Sequence, residues 1–142
     1  MPQAGYNHSM FQLTQELAFC YGHRLLGHPG KCARLHGHNA RVFVTLRSET
    51  LDAQGMVADF DSVVRRMRSF IDEQLDHQLL LQEGDPLAPA LRAVNEPFRA
   101  LRFAPTAENL ARLLFEHAES AGLPVIEVRL EEQPGSVATF RK

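Results

Sequence analysis

Hydrophobic and polar residues alternate from the eleventh position onward. Between Phe11 and His23 the odd positions read Phe, Leu, Gln, Leu, Phe, Tyr, His, while Gln12, Thr14 and Glu16 are polar. Period two over such a run predicts a strand with one buried face. "GHPGKCAR" then brings glycine, proline and charge, which marks a loop. "HNARVFVTLRS" restores the alternation, with Ala40, Val42, Val44 and Leu46 on one face. His36 and His38 share that parity, so a strand beginning at His36 projects both to the same side. "SETLDAQG" predicts a hairpin turn and "MVADF" its short returning strand.

The period then changes. Across "DFDSVVRRMRSFIDEQL", Phe60, Val63, Val64, Met67, Phe70, Ile71 and Leu75 take the three-and-four spacing of an amphipathic helix, with Asp59 or Asp61 as its N-cap. "PTAENLARLLFEHAESAG" repeats the grammar: Thr106 caps, Glu108 suits the positive first turn, and Gly122 ends the helix. The last predicted strand is "VIEVRLEE", with Ile126, Val128, Leu130 and Glu132 on one side. The connection over 78–104 holds Pro86, Pro89 and Pro97, and its length predicts a short helix around "PLAPALRAV" or a functional flap. No βαβ alternation runs through this order. The expectation is therefore α+β: a four-stranded antiparallel sheet with two helices on one face, in a single domain over 1–142.

Composition narrows the function classes. At 142 residues the chain suits one domain, and 44% hydrophobic with 23% charged residues is ordinary for a globular one. A net charge of −2 gives no support for a nucleic-acid partner bound by overall charge. Two cysteines, Cys20 and Cys32, make no disulfide framework, which points to a reducing cytoplasm. "MPQAGYNHSM" lacks the basic start and apolar stretch of a signal peptide, and no apolar run reaches the ~20 residues that span a bilayer. The expectation is a cytoplasmic protein with no membrane partner.

The candidate chemistry begins with His23, His36 and His38, which together offer three imidazole nitrogens. Three protein ligands with an open fourth position define a catalytic zinc site. A lone His-x-His is a weak signal, so neighbours matter. Cys32, in the loop feeding His36, is either a fourth ligand or a reactive thiol beside the metal. Cys20 has the opposite parity to Phe19 and Tyr21 and reads as packing. His28 is a spare candidate ligand, and His117 reads as core. Asp76 and His77 close the first helix. There a histidine complements the macrodipole, or the carboxylate fixes an imidazole that exchanges a proton; a direct pair requires the helix to end there. Glu132 is either an exposed strand end or a buried carboxylate that receives two parallel N–H bonds.

Taken together, "FCYGHRL", "KCARLHGHN", "GMVADFDSV" with "LDH", and "PTAENLARLLF" followed by "VRLEE" resemble the 6-pyruvoyl-tetrahydropterin synthase / 6-carboxy-tetrahydropterin synthase family. The likeness runs from the first strand to "ATF". It implies Zn2+ held by His23, His36 and His38, Cys32 as the catalytic thiol, Asp76 and His77 as a second proton-transfer unit, and Glu132 with Thr106 in the pterin site. It implies the tunnelling fold, with subunits joined as trimeric barrels that stack as hexamers and active sites between subunits. Three residues separate Cys32 from His36, as in the queuosine-pathway branch of the family. That branch converts 7,8-dihydroneopterin triphosphate to 6-carboxy-5,6,7,8-tetrahydropterin with release of acetaldehyde and triphosphate. The alternatives are the 6-pyruvoyl product and a non-catalytic pterin- or zinc-binding protein. The chain departs from the family pattern at Tyr21-Gly22, where two small residues are usual, at Gln133, where threonine is expected, and in a longer segment over 79–103.

Overall fold

The computed structural model describes residues 9–142; His8 and most of the N-terminal stretch read above lie outside the described residues. Two long strands form first in sequence, β1 (Phe11–His23) and β2 (His36–Ser48). They pair antiparallel along their whole length, from Phe11 opposite Ser48 to His23 opposite His36. Side-chain alternation then puts Leu17, Phe19 and Tyr21 of β1 on the same buried face as Ala40, Val42, Val44 and Leu46 of β2.

Two helices cover that face. In α1 (Phe60–Gln74), Asp59 is the N-cap and its side chain accepts from the Asp61 N–H, while Val63, Met67 and Ile71 are buried. In α3 (Ala107–Ser120), Thr106 caps by accepting from the Asn109 N–H, and Leu110, Leu114 and Phe115 are buried. Gly122 follows at φ 81, a left-handed conformation suited to ending a helix. The helices meet where His117 stacks on Phe70, centroids 4.1 Å apart, and its Nε2 donates to the Arg66 carbonyl at 2.8 Å. His117 is thus an inter-helix contact.

The sheet is larger than the sequence pattern predicts. Among the described residues it has six strands, not four, in the order β4 (Arg99–Leu101), β3 (Gln78–Gln82), β1, β2, β5 (Val125–Gln133) and β6 (Ser136–Arg141). The 78–104 connection contains β3 (Gln78–Gln82), the short helix α2 (Ala88–Ala93) and β4 (Arg99–Leu101). Both strands pair parallel, β3 on β1 and β4 on β3, so the sheet is mixed, and the described residues hold three α-helices. Beyond β5 (Val125–Gln133) the chain turns back as β6 (Ser136–Arg141), whose Phe140 packs edge-on to Phe115.

The expected returning strand "MVADF" is absent. The edge of β2 that it would need is taken by β5, with Val42 opposite Leu130. The chain instead curls on Asp52, whose Oδ1 accepts from the N–H groups of Gln54 and Met56 at 2.9 and 3.0 Å. Gly55 at φ 81 completes the turn. No helix among the described residues is long and apolar enough to cross a membrane.

One ion pair anchors the end of β1. Arg24, the residue after His23, grips the carboxylate of Asp85 in the loop after β3, and Asp85 also accepts from the Leu87 N–H at 2.8 Å. The Asp85 side chain is 1% exposed and that of Arg24 is 21% exposed. Asp85→Ala should cost about 2–4 kcal/mol, because it strands a half-buried guanidinium. The Arg24 guanidinium holds the Asp85 carboxyl below the usual carboxylate range, outweighing the effect of burial. A carboxyl lowered by folding stabilises fully above its unfolded pKa of about 4 and loses that contribution as pH falls through the lower folded value. The melting-temperature gap between the native chain and the variant should therefore be flat near neutrality and shrink below about pH 4. A gap independent of pH would show that packing, not charge, ties this loop down.

Candidate functional site

The register of β1 and β2 builds the centre of the site. His23 stands directly opposite His36, and Tyr21 opposite His38. His36 and His38, two residues apart, share a face with His23, so three imidazoles converge at one end of the buried face. A slip of one residue would turn His36 and His38 to the other side of the sheet.

The ligating atoms of His23, His36 and His38 all lie within 4.8 Å of one another. His23 Nδ1 is 2.7 Å from the Pro105 carbonyl, and His36 Nδ1 is 2.6 Å from the Arg34 carbonyl. A carbonyl only accepts, so each Nδ1 carries a proton, and when both rings are neutral each keeps a lone pair on Nε2. Those two lone pairs face each other at 3.0 Å. They cannot bond to each other, and a cation between them is what the arrangement fits. His38 Nε2 is buried with no hydrogen-bond partner, a third donor aimed inward. Burial pushes the His23 imidazole below the ordinary histidine range despite Pro105 and Glu132, and it does the same to His38. Neutral imidazole is the metal-binding form.

Glu132 of β5 reaches this centre. Its Oε1 accepts from the Tyr21 hydroxyl at 2.9 Å and lies 3.5 Å from His23 Nε2 and 3.6 Å from His38 Nε2. Burial first, then the charge of Glu132, push the Tyr21 phenol above the usual tyrosine range, so it stays protonated and donating. Glu132 and Thr106 line one cavity of ≈ 400 Å³.

Asp76 and His77 form a second cluster, together with Cys20. The first helix ends at Gln74, and His77 adopts φ 58, which is uncommon for a residue with a side chain. That turn lets Asp76 Oδ2 accept from His77 Nδ1 at 2.9 Å, while Asp76 Oδ1 accepts from the Cys20 N–H at 2.9 Å. The His77 N–H donates to the Cys20 carbonyl at 2.7 Å. Burial would raise the Asp76 carboxyl, but the Cys20 N–H, His77 and Arg68 outweigh it and hold it below the usual range. His77 is 80% exposed. It opens on a groove of ≈ 770 Å³ that His36, His38, Cys20, Glu96 and Pro97 also line.

Of the residues singled out from sequence, the structure gathers His23, His36 and His38 at one point, with Glu132 beside two of them, His23 and His38. His77, bonded to Asp76, lines the groove of His36 and His38, and Thr106 lines the cavity of Glu132. Cys32 is not gathered in. It sits half-buried on a single 3-10 turn, Lys31–Ala33, and belongs to neither donor cluster. Nor does His28, whose Nδ1 instead accepts from the Gly30 N–H. Cys20, read as packing, is the thiol that stands beside Asp76 and His77. Pro105 and Arg34 contribute through backbone carbonyls, which leave no signal in the sequence.

Comparisons with known proteins place the chain in a family. The family described as 6-pyruvoyl tetrahydropterin synthase matches residues 12–142. A 6-carboxy-5,6,7,8-tetrahydropterin synthase of Rickettsia bellii is 33% identical over 88% of this chain and 96% of its own. The enzyme of the same name from Aquifex aeolicus is 36% identical over 79% and 76%. An uncharacterized protein of Wolinella succinogenes superposes with a TM-score of 0.80 at 29% identity, covering 94% of this chain and 99% of its own. The 6-pyruvoyl tetrahydropterin synthase of Caenorhabditis elegans superposes at 0.70 with 24% identity, over 94% and 96%. With the match spanning β1 to the last residue and both histidine-bearing strands inside it, the chain belongs to the 6-pyruvoyl tetrahydropterin synthase family.

Proposed function

We propose that this chain is a cytoplasmic zinc-dependent lyase. It converts 7,8-dihydroneopterin triphosphate and one water to 6-carboxy-5,6,7,8-tetrahydropterin, acetaldehyde and triphosphate. The observation that carries the reading is the pair of Nε2 atoms facing each other at 3.0 Å, beside a groove also lined by His77, whose ring bonds Asp76. Zinc bound by His23, His36 and His38 would polarise the substrate's side-chain oxygens as a Lewis acid.

The chain's own residues supply the rest. Asp76 stays ionised and orients the His77 ring through Nδ1, leaving Nε2 to exchange a proton over the groove. Glu132 and Thr106 line the cavity that would take the pterin, whose 2-amino and N3 edge suits a carboxylate. Cys32 is the thiol of the reaction. Because it lies apart from the Asp76–His77 pair, it would act on the groove of an adjacent copy in a trimer or hexamer. The sheet ends in β4 and β6 as edge strands, and pairing between copies would satisfy them.

The 6-carboxy product is favoured by the three-residue gap between Cys32 and His36 and by the names of the curated relatives. Incubating the zinc-loaded chain with 7,8-dihydroneopterin triphosphate should yield 6-carboxy-tetrahydropterin and one equivalent of acetaldehyde by mass spectrometry. A 6-pyruvoyl product would keep the site and change the pathway. Unchanged substrate with zinc bound would favour a pterin-binding protein.

A further inference from the structure

Glu132 does two things at once in this structure. It lines the cavity beside Thr106, and its Oε1 stands over the imidazole nitrogens. A tetrahedral zinc ion with bonds of about 2.0–2.1 Å sets its donors about 3.3–3.4 Å apart. The donor separations here are 3.0 Å for His23–His36, 3.5 Å for His23–Glu132 and 3.6 Å for His38–Glu132. The carboxylate oxygen therefore sits at a ligand's distance from two of the three histidines.

What keeps it there is Tyr21. The phenol lies edge-on to His23, centroids 5.0 Å apart, and 5.7 Å from His38. It starts on β1 and ends on a residue of β5, two strand spacings away, about 9.5 Å. On the intervening strand Tyr21 faces His38, and the next residue on that face is Ala40, opposite Phe19 and 1% exposed. The hydroxyl then meets Oε1, the same oxygen that faces the histidines.

We propose that Glu132, held in place by the Tyr21 hydroxyl, is the fourth ligand of the metal at rest. The inference rests on the metal reading above. It changes the meaning of the site: the coordination is closed as three imidazoles and one carboxylate, and the carboxylate that would receive the pterin edge must leave the metal to do so. Arrival of the pterin then opens the coordination position that the chemistry needs. Tyr21 is the positioning residue of this exchange.

The test needs no turnover. Zinc affinity is measured by competition with a chromophoric chelator on the native chain, Tyr21→Phe, Glu132→Gln and the double variant. Loss of a partner that orients a ligand typically costs 10–100-fold in metal affinity. Tyr21→Phe should bind zinc about 10-fold more weakly and Glu132→Gln at least as weakly. The double variant should match Glu132→Gln, since the hydroxyl acts only through the carboxylate. All four metal-free chains should melt together, both replacements being close to isosteric. Native affinity in Glu132→Gln would overturn the inference and leave a three-histidine metal site intact. Losses that multiply in the double variant would overturn the role given to Tyr21. A native chain that binds no zinc would overturn the metal reading itself.

Discussion

Replacing His38 with alanine should leave a chain that folds but no longer holds its metal. His38 Nε2 is buried without a hydrogen-bond partner, so truncating the ring removes an unsatisfied polar atom rather than creating one. The metal-free variant should melt within a few degrees of the native chain. The difference appears on adding zinc. A ligand that binds only the folded state stabilises it by about 2.7 kcal/mol at one hundred times its Kd. The native chain should gain that increment and the variant should not. Turnover should fall by about 10³-fold or more, since Lewis-acid stabilisation is worth several kcal/mol. Full zinc occupancy in the variant, measured by elemental analysis, would place the metal elsewhere in the chain.

Cys32→Ala should give the opposite pattern: metal retained, turnover lost. The thiol belongs to neither donor cluster, so zinc should remain near one per chain and the zinc-dependent gain in melting temperature should persist. Loss of a proton-transferring group typically costs 10²–10⁴-fold in rate. Cys20→Ala is the necessary companion, because Cys20 is the thiol that the fold sets beside Asp76 and His77. If Cys20→Ala abolishes turnover while Cys32→Ala spares it, the reaction uses a thiol from the same chain, and the need for an adjacent copy disappears. Simultaneous loss of zinc and of fold in Cys32→Ala would make that cysteine structural.

How much of this was legible depended on the range of the interaction. Period-two alternation fixed the faces of β1 and β2 and put His36 and His38 on one side, because side-chain direction is local. Both long helices, with Asp59 and Thr106 as caps, were legible for the same reason. The short strands were not. Gln78–Gln82 is a nearly continuous apolar run and Arg99–Leu101 is three residues long, and each becomes a strand only because a neighbouring edge is already there. "MVADF" failed for the converse reason, since β5 competes for the edge of β2. At the site, residue types were readable but their mutual positions were not. The Tyr21–Glu132 bond joins residues 111 apart, and the carbonyls that orient His23 and His36 could come from any residue type.

The uninterrupted pairing of β1 with β2 works as a ruler, and the segment joining them works as a tether. All thirteen opposed pairs from Phe11–Ser48 to His23–His36 must keep step for the imidazoles to meet, so a single deletion inside either strand would scatter them. Residues added or removed between Arg24 and Leu35 disturb none of those pairs, and loop length costs little free energy. Cys32 rides on that tether. If Cys32 is the reacting thiol, as proposed, a longer or shorter segment would aim it at a different carbon of the substrate while the three-histidine cluster stays as it is. Divergence in product would be written in the loop and conservation of the metal in the strands.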